Sequence, residues 1–251
     1  MFGLPDGVSA CLFDMDGVVT QTASVHAAAW KEMFDDFLRG YAASTGTPFV
    51  PFDSRTEYDQ YVDGKPRLDG TRSFLEHRGI TLPEGSPDDP PGTPTIYGLS
   101  NRKNALVLAK IAAGGVQVYQ DTLTYIRAIR TGGISTAIVS ASANTKLVLD
   151  SAGIAGLFDA RMDGVIAKQR GLHGKPAPDT YLAAAQMLHV TPQQAAVFED
   201  AQAGVAAGKA GGFALVVGVD RVGQAAELRE HGADIVVQDV AELLDQDKGV
   251  R

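Results

Sequence analysis

The sequence predicts an α/β fold: a doubly wound parallel-sheet core with an inserted, mostly helical cap domain. Three observations predict it. From residue 116 onward, helical segments alternate with short apolar runs rich in branched residues. Another apolar run, Val8 to Phe13, opens the chain and ends at once in Asp14-Met15-Asp16-Gly17. Between the two lies a stretch of different texture, helical and interrupted by prolines. Alternating strands and helices imply crossover units and a parallel sheet covered on both faces. The expected division is a core of residues 1–20 and 115–251 and a cap of residues 21–114.

Each element has its own signal. From Thr22 to about Arg39, the residues Val25, Ala29, Trp30, Met33, Phe34 and Phe37 recur at helical spacing, with Thr22 or Ser24 as N-cap. Residues 44–66 are mixed and carry Pro48, Pro51 and Pro66. Thr71 to His77 reads as a short helix closed by Gly79. Residues 82–98 read as a loop, because four prolines fall within eight residues. Asn101 to Ala113 reads as a helix stopped by Gly114-Gly115. In the core, helices are expected at Leu123–Thr131, Thr145–Ala152, Asp179–Leu188, Ala203–Ala210 and Val222–His231. Strands are expected at Ser135–Val139, Phe158–Met162, Ala195–Phe198, Ala214–Val219 and Asp234–Val237.

Bulk properties narrow the function. A chain of 251 residues, 45% hydrophobic and 21% charged, can bury a core without disulfides or structural metal. Its net charge of -8 argues against nonspecific attraction to nucleic acid or anionic membrane. No apolar stretch reaches the roughly 20 residues that span a bilayer. The first residues lack a basic region and a long apolar region, so no signal peptide and a cytoplasmic location are expected. Cys11, the single cysteine, lies in an apolar run and reads as a buried core residue. A phosphate substrate is still compatible with this charge, because a few local cations rather than net charge would capture it; no nucleic acid and no membrane are expected as partners, and a monomer is the default.

In open parallel sheets, ligands bind past the carboxyl ends of the strands. Asp14 and Asp16, Ser140, and Glu199-Asp200 fall there. Lys175, in Gly174-Lys175-Pro176, falls in a loop between a strand and a helix. Singly, these groups read as turns, an N-cap and a surface loop. Together they suit one chemistry. Asp14, Glu199 and Asp200 are hard oxygen ligands for Mg²⁺, and crowded carboxylates repel unless a cation neutralises them. Phosphoryl transfer needs positioning and cancellation of charge on the equatorial oxygens. Mg²⁺, Lys175 and the Ser140 hydroxyl supply that cancellation. Carboxylates form aspartyl-phosphates, which makes Asp14 the expected nucleophile. Asp16, two residues on, is the expected general acid and base.

Asp14-Met15-Asp16-Gly17-Val18, Ser140, Lys175 and Glu199-Asp200 resemble the four ordered motifs of the haloacid dehalogenase superfamily. The stretch Phe198 to Val205 with Ala207-Gly208-Lys209-Ala210-Gly211 is a particularly close match. The resemblance implies a Rossmann-like core, a helical cap, Mg²⁺ dependence and a metal shell joined by the Asp16 carbonyl. Gly17 to Ala23, with His26 and Ala29-Trp30, is most similar to the β-phosphoglucomutase branch. That likeness implies substrate contacts from Thr22, His26 and Trp30. It implies others from Ser142 and Asn144 in the loop Ser140 to Asn144, from Arg67 in Gly64-Lys65-Pro66-Arg67, and from Lys103 in Asn101 to Asn104. Arg67 and Lys103 would hold the phosphate that is not transferred, and His26 would support Asp16. On their residue types alone, His26 and Trp30 read equally as a core pairing, and Arg67 and Lys103 as solvated cations. The cap carries extra residues around 44–60 and 82–98.

Three functions compete. The first is a mutase interconverting β-glucose 1-phosphate and glucose 6-phosphate through a bisphosphate. The second is a sugar-phosphate hydrolase using the same residues with water as acceptor. The third is a silent interaction module, which would have no need of clustered carboxylates.

Overall fold

The computed structural model describes residues 1–245. Six parallel strands form one sheet: β1 (Ala10–Phe13), β2 (Ser135–Val139), β3 (Ala160–Met162), β4 (Ala195–Glu199), β5 (Leu215–Val219) and β6 (Ile235–Val237). Their order is β3-β2-β1-β4-β5-β6. Every residue of β1, β4 and β5 is buried. Strands covered on both faces read as unbroken apolar runs, which is why they are visible in the sequence. The strand order reverses between β1 and β4, so connections leave their ends in opposite directions and open a crevice there. Phe13 pairs with Ile138 on one side and Phe198 on the other, so the residues following both strands reach the same edge.

The chain forms two compact units: Met1–Gln21 with the chain from Val116 on, and Thr22–Gly115. In the first, helices α4 (Gln120–Thr131), α5 (Thr145–Ser151), α6 (Gly164–Arg170), α7 (Asp179–Met187), α8 (Gln202–Ala210) and α9 (Ala225–Glu230) follow the strands. The second holds α1 (Ala23–Thr45), α2 (Arg67–His77) and α3 (Ile96–Gly114). No helix among the described residues is long and apolar enough to cross a membrane.

Several expected elements shift. Helix α6 is an addition: the Asp163 carboxylate starts it by accepting the Val165 and Ile166 N–H groups at 3.0 and 2.9 Å. Lys175 therefore lies in a loop joining two helices, not a strand and a helix. Helix α3 begins at Ile96, inside the expected loop, because the Thr95 hydroxyl accepts the Gly98 N–H at 2.9 Å. Helix α2 begins at Arg67, directly after Pro66. Helix α1 runs on to Thr45 and stops at Gly46, whose φ is 71°. Ser24 lies within α1, and Thr22 occupies the N-cap position without a side-chain cap bond.

The cap has its own core of Trp30, Phe34, Phe52 and Phe74, with Phe34 and Phe74 centroids 4.0 Å apart. The extra segments are tied to it. Asp35 accepts the Phe52 N–H at 2.8 Å, and Glu57 takes two bonds from Arg78 at 2.5 and 2.8 Å. Asn101 donates to the Pro87 and Asp89 carbonyls at 3.0 and 2.9 Å, which fixes the proline-rich loop.

Candidate active site

Asp14 follows β1, and its N–H donates to the Phe198 carbonyl at 2.9 Å. That bond continues the β1–β4 ladder by one residue and brings Asp14 beside the end of β4. Glu199 is the last residue of β4 and Asp200 the next. The ligand oxygens of Asp14, Glu199 and Asp200 lie within 4.8 Å of one another, and all three residues are buried. Lys175, 3% exposed, donates to Asp14 Oδ1 and, at 2.5 Å, to Glu199 Oε1.

The electrostatics follow from burial. Loss of water pushes the Asp14 carboxyl well above the usual carboxylate range; Lys175 opposes this, while Glu199 and Asp16 add to it. Burial would lower the Lys175 ammonium, but Asp14 and Glu199 outweigh it and hold it above the ordinary lysine value. One ammonium faces three carboxylates, so the cluster is short of positive charge once all three are ionised. A hard divalent cation matches that deficit in charge and donor type, so the site fits Mg²⁺.

Two glycines make the crowding possible. Gly17 has φ +96°, and a Cβ there would stand 1.7 Å from Asp200 Oδ2. A Cβ on Gly204 in α8 would stand 1.6 Å from Glu199 Oε1. Each carboxylate fills the space that a methyl group would take.

Glu199 is held from every side. Its Oε1 accepts from Lys175 and from the buried Tyr181 phenol at 3.0 Å, and its Oε2 accepts the Ala201 N–H at 2.9 Å. The Tyr181 ring lies 5.0 Å below the Lys175 ammonium. Sequence reasoning missed Tyr181; its signal was a phenol at an apolar position of the helix that follows Lys175.

Ser140 directly follows β2 and is 3% exposed. Its Oγ accepts the Ser142 N–H at 3.1 Å and lies 3.5 Å from Asp16 Oδ2. Ser142 Oγ in turn accepts the Asn144 N–H at 3.1 Å. Successive hydroxyls thus brace this loop, and Asp14, Asp16, Ser140 and Lys175 come together in the core.

The cap residues form a second cluster, within the cap. His26 and Trp30 sit one turn apart on α1. The Lys103 ammonium, on α3, lies 2.8 Å from His26 Nδ1 and 4.8 Å from the Trp30 ring centroid. An ammonium only donates, so Nδ1 is the acceptor. Trp30 itself is 2% exposed and stacks on Phe34, so its bulk belongs to the cap core. Arg67 Nη1 donates to Asn104 Oδ1 at 2.6 Å, while its buried Nε has no partner. Among the described residues no carboxylate pairs with Arg67, and burial pushes its guanidinium down from the ordinary value. Thr22 is buried, and its carbonyl accepts the His26 N–H at 2.9 Å.

Residues 8–212 match the family model of the haloacid dehalogenase-like hydrolases. A β-phosphoglucomutase from Mycobacterium tuberculosis is 53% identical over 247 residues, covering 97% of this chain and 94% of the relative. The chain belongs to the haloacid dehalogenase-like family, in its β-phosphoglucomutase branch. The crystal structure of a β-phosphoglucomutase from Clostridium difficile superposes with a TM-score of 0.74 at 25% identity, covering 96% of each chain. A fructose-1-phosphate phosphatase from Escherichia coli is more distant, 27% identical over 82% of this chain and 93% of its own length. Membership makes the chain an enzyme.

Proposed function

We propose that this chain interconverts β-D-glucose 1-phosphate and glucose 6-phosphate through an aspartyl-phosphate on Asp14 and a glucose 1,6-bisphosphate intermediate. The observation that carries the chemistry is the meeting of Asp14, Lys175, Glu199 and Asp200 at one sheet edge. The extent and identity of the mycobacterial relative favour the mutase over the hydrolase.

Asp14 attacks phosphorus with a carboxylate oxygen while the bond from phosphorus to the donor oxygen breaks. Asp16 gives that oxygen its proton. In the second half, Asp16 takes the proton of the incoming sugar hydroxyl as that oxygen attacks the phosphorus on Asp14. General acid–base help of this kind is worth roughly 10²–10⁴-fold. Asp14, Glu199, Asp200 and the Asp16 carbonyl would hold Mg²⁺, which would supply positive charge to keep these carboxylates ionised and to balance the phosphoryl oxygens. Lys175 holds one Asp14 oxygen and leaves the other for attack. Ser140, with Ser142 and Asn144 bracing its loop, offers a hydroxyl to the transferring phosphoryl group. In the cap, Arg67 and Lys103 hold the other phosphate, Asn104 and Trp30 support them, and His26 accepts from Lys103, with Thr22 at the head of its helix. A bisphosphate that exchanges ends needs a phosphate grip separate from the acidic centre, and arginine's fork suits it.

All the acidic groups and Lys175 come from one chain, so a monomer suffices. The buried thiol of Cys11 suits the cytoplasm. The deciding assay supplies β-glucose 1-phosphate, Mg²⁺ and a trace of bisphosphate. Glucose 6-phosphate without release of inorganic phosphate is the expected result. Phosphate without isomer would assign the hydrolase instead.

A further inference from the structure

The loop after β5, Asp220 to Gln224, contributes no side chain to the acidic cluster, yet it touches both loops that carry the cluster. Gln224 is buried, and its Nε2 donates to the Asp200 carbonyl at 2.9 Å. Arg221 Nε lies 3.4 Å from the Gly17 carbonyl. The same guanidinium donates to the Gln238 carbonyl at 2.7 Å and to Asp121 Oδ2 at 2.8 Å, and it lies 3.9 Å from the Tyr119 ring centroid.

The loop is rigid in its own right. Asp220 Oδ1 accepts the N–H groups of Val222, Gly223 and Gln224 at 3.2, 2.6 and 2.9 Å. The Asp220 N–H donates to the Val237 carbonyl at 2.8 Å, which ties the loop to the end of β6. The two loops it touches also press on each other, since Asp200 occupies the space beside Gly17. Arg221 and Gln224 thus grip the main chain on both sides of that contact. Gly17 is the residue after Asp16, so a bond to its carbonyl fixes the main chain one residue beyond the expected acid–base group.

We propose that Arg221 and Gln224 are positioning residues that fix the Asp14–Gly17 loop and the Glu199–Ala201 loop against each other. They act through Asp16 and Asp200 without touching substrate. Losing either lets the acidic loops separate by a fraction of an ångström, and a displacement of about 1 Å near the reacting atoms costs on the order of 10²-fold in rate.

Gln224→Met keeps the side chain's length and removes its donor. Arg221→Lys keeps a cation over Tyr119 but cannot donate in several directions at once. The proposal rests on the phosphomutase reading for its kinetic assay only; Mg²⁺ binding to the resting protein, measured by calorimetry, does not depend on it. Gln224→Met is expected to lower kcat and Mg²⁺ affinity each by roughly 10–100-fold, the usual cost of an outer-shell partner. KM for the sugar phosphate should stay within about twofold, because the cap grip is untouched. Arg221→Lys should lower kcat about tenfold. Val222→Thr, an exposed change in the same loop, is the control and should match the parent. Parent-like kcat and Mg²⁺ affinity in folded Gln224→Met would overturn the proposal. So would parent-like kcat in Arg221→Lys, which also serves if the first variant does not fold. Should the parent itself lack isomerase activity, the mutase reading fails, and calorimetry on both variants still decides this one.

Discussion

In the core, a lysine sits among three buried carboxylates; in the cap, an arginine and a lysine sit among aromatic rings, an amide and an imidazole. The two clusters are wanting in opposite senses. In the core cluster three carboxylates outnumber the one ammonium, Lys175, that pairs with Asp14 and Glu199, so it is short of positive charge once they are ionised. The cap cluster holds Arg67 with a buried, unpartnered Nε and, among the described residues, no carboxylate against it. Buried charges without counter-charges are costly. On the proposed reading each cluster would be completed from outside the chain, by a divalent cation in the core and a phosphate in the cap. The proposed phosphomutase, with its metal and its bisphosphate, would supply both.

The contrast can be broken most sharply at Asp14. Asp14→Asn keeps the shape and removes the nucleophile, so turnover should fall by at least about 10³-fold with the melting temperature retained. Substantial turnover in that variant would end the nucleophile assignment. Lys175→Met comes next. It leaves the carboxylates with no cation, and in metal-free buffer the protein should lose about 3–5 kcal/mol of stability by urea unfolding. Added Mg²⁺ should restore part of that loss, because it binds only the folded form. An unchanged unfolding midpoint would mean that the carboxylates do not repel as described.

The cap should respond the other way. Arg67→Met removes a buried cation that has no carboxylate partner, so stability should stay level or rise. KM for sugar phosphate should increase by roughly 10–100-fold, the worth of charged hydrogen bonds to phosphate, and far more than KM for a small aryl phosphate. Equal effects on both substrates would remove Arg67 from phosphate binding.

The smallest effect lies away from both clusters. Burial alone would raise the Glu57 carboxyl, but bonds from Arg78 and from the Asp53 N–H outweigh it and hold Glu57 below its ordinary range. Its folded value is the lower one. Its contribution is therefore complete above the ordinary glutamate range and is lost as pH falls through the depressed value. Glu57→Gln should cost about 1–2 kcal/mol at neutral pH and flatten the acid side of the stability profile. A parallel profile in the variant would show that the Glu57–Arg78 pair is idle.

The core was readable because its signals are local and dense. Strands β1, β4 and β5 are buried throughout and appear as uninterrupted apolar runs. Asp14, Lys175 and Glu199-Asp200 are residue types whose crowding has few structural uses. Where the sequence was silent, the cause was distance or brevity. Helix α6 has seven residues and one buried side chain, Ala167, so it carries no periodic stripe. The start of α3 is set by the Thr95 hydroxyl within a proline-rich stretch that reads as loop. The segment near 44–60 is shaped by Asp35 with Phe52 and by Glu57 with Arg78, partners 17 and 21 residues apart. Tyr181 serves the site through a bond to Glu199, 18 residues away, and Arg221 through contacts some 200 residues back along the chain, to Gly17. No local window contains both ends of such a bond.

Gly17 and Gly204 give a test of integrity that the acidic residues alone cannot. A chain could keep every carboxylate and the lysine and still be inert if alanine stood at either place. The added carbon would wedge Asp200 or Glu199 out of its seat and spoil the cradle for the cation. Two hydrogen atoms thus separate a working centre from a lookalike, and engineers transplanting this centre must carry both glycines with it.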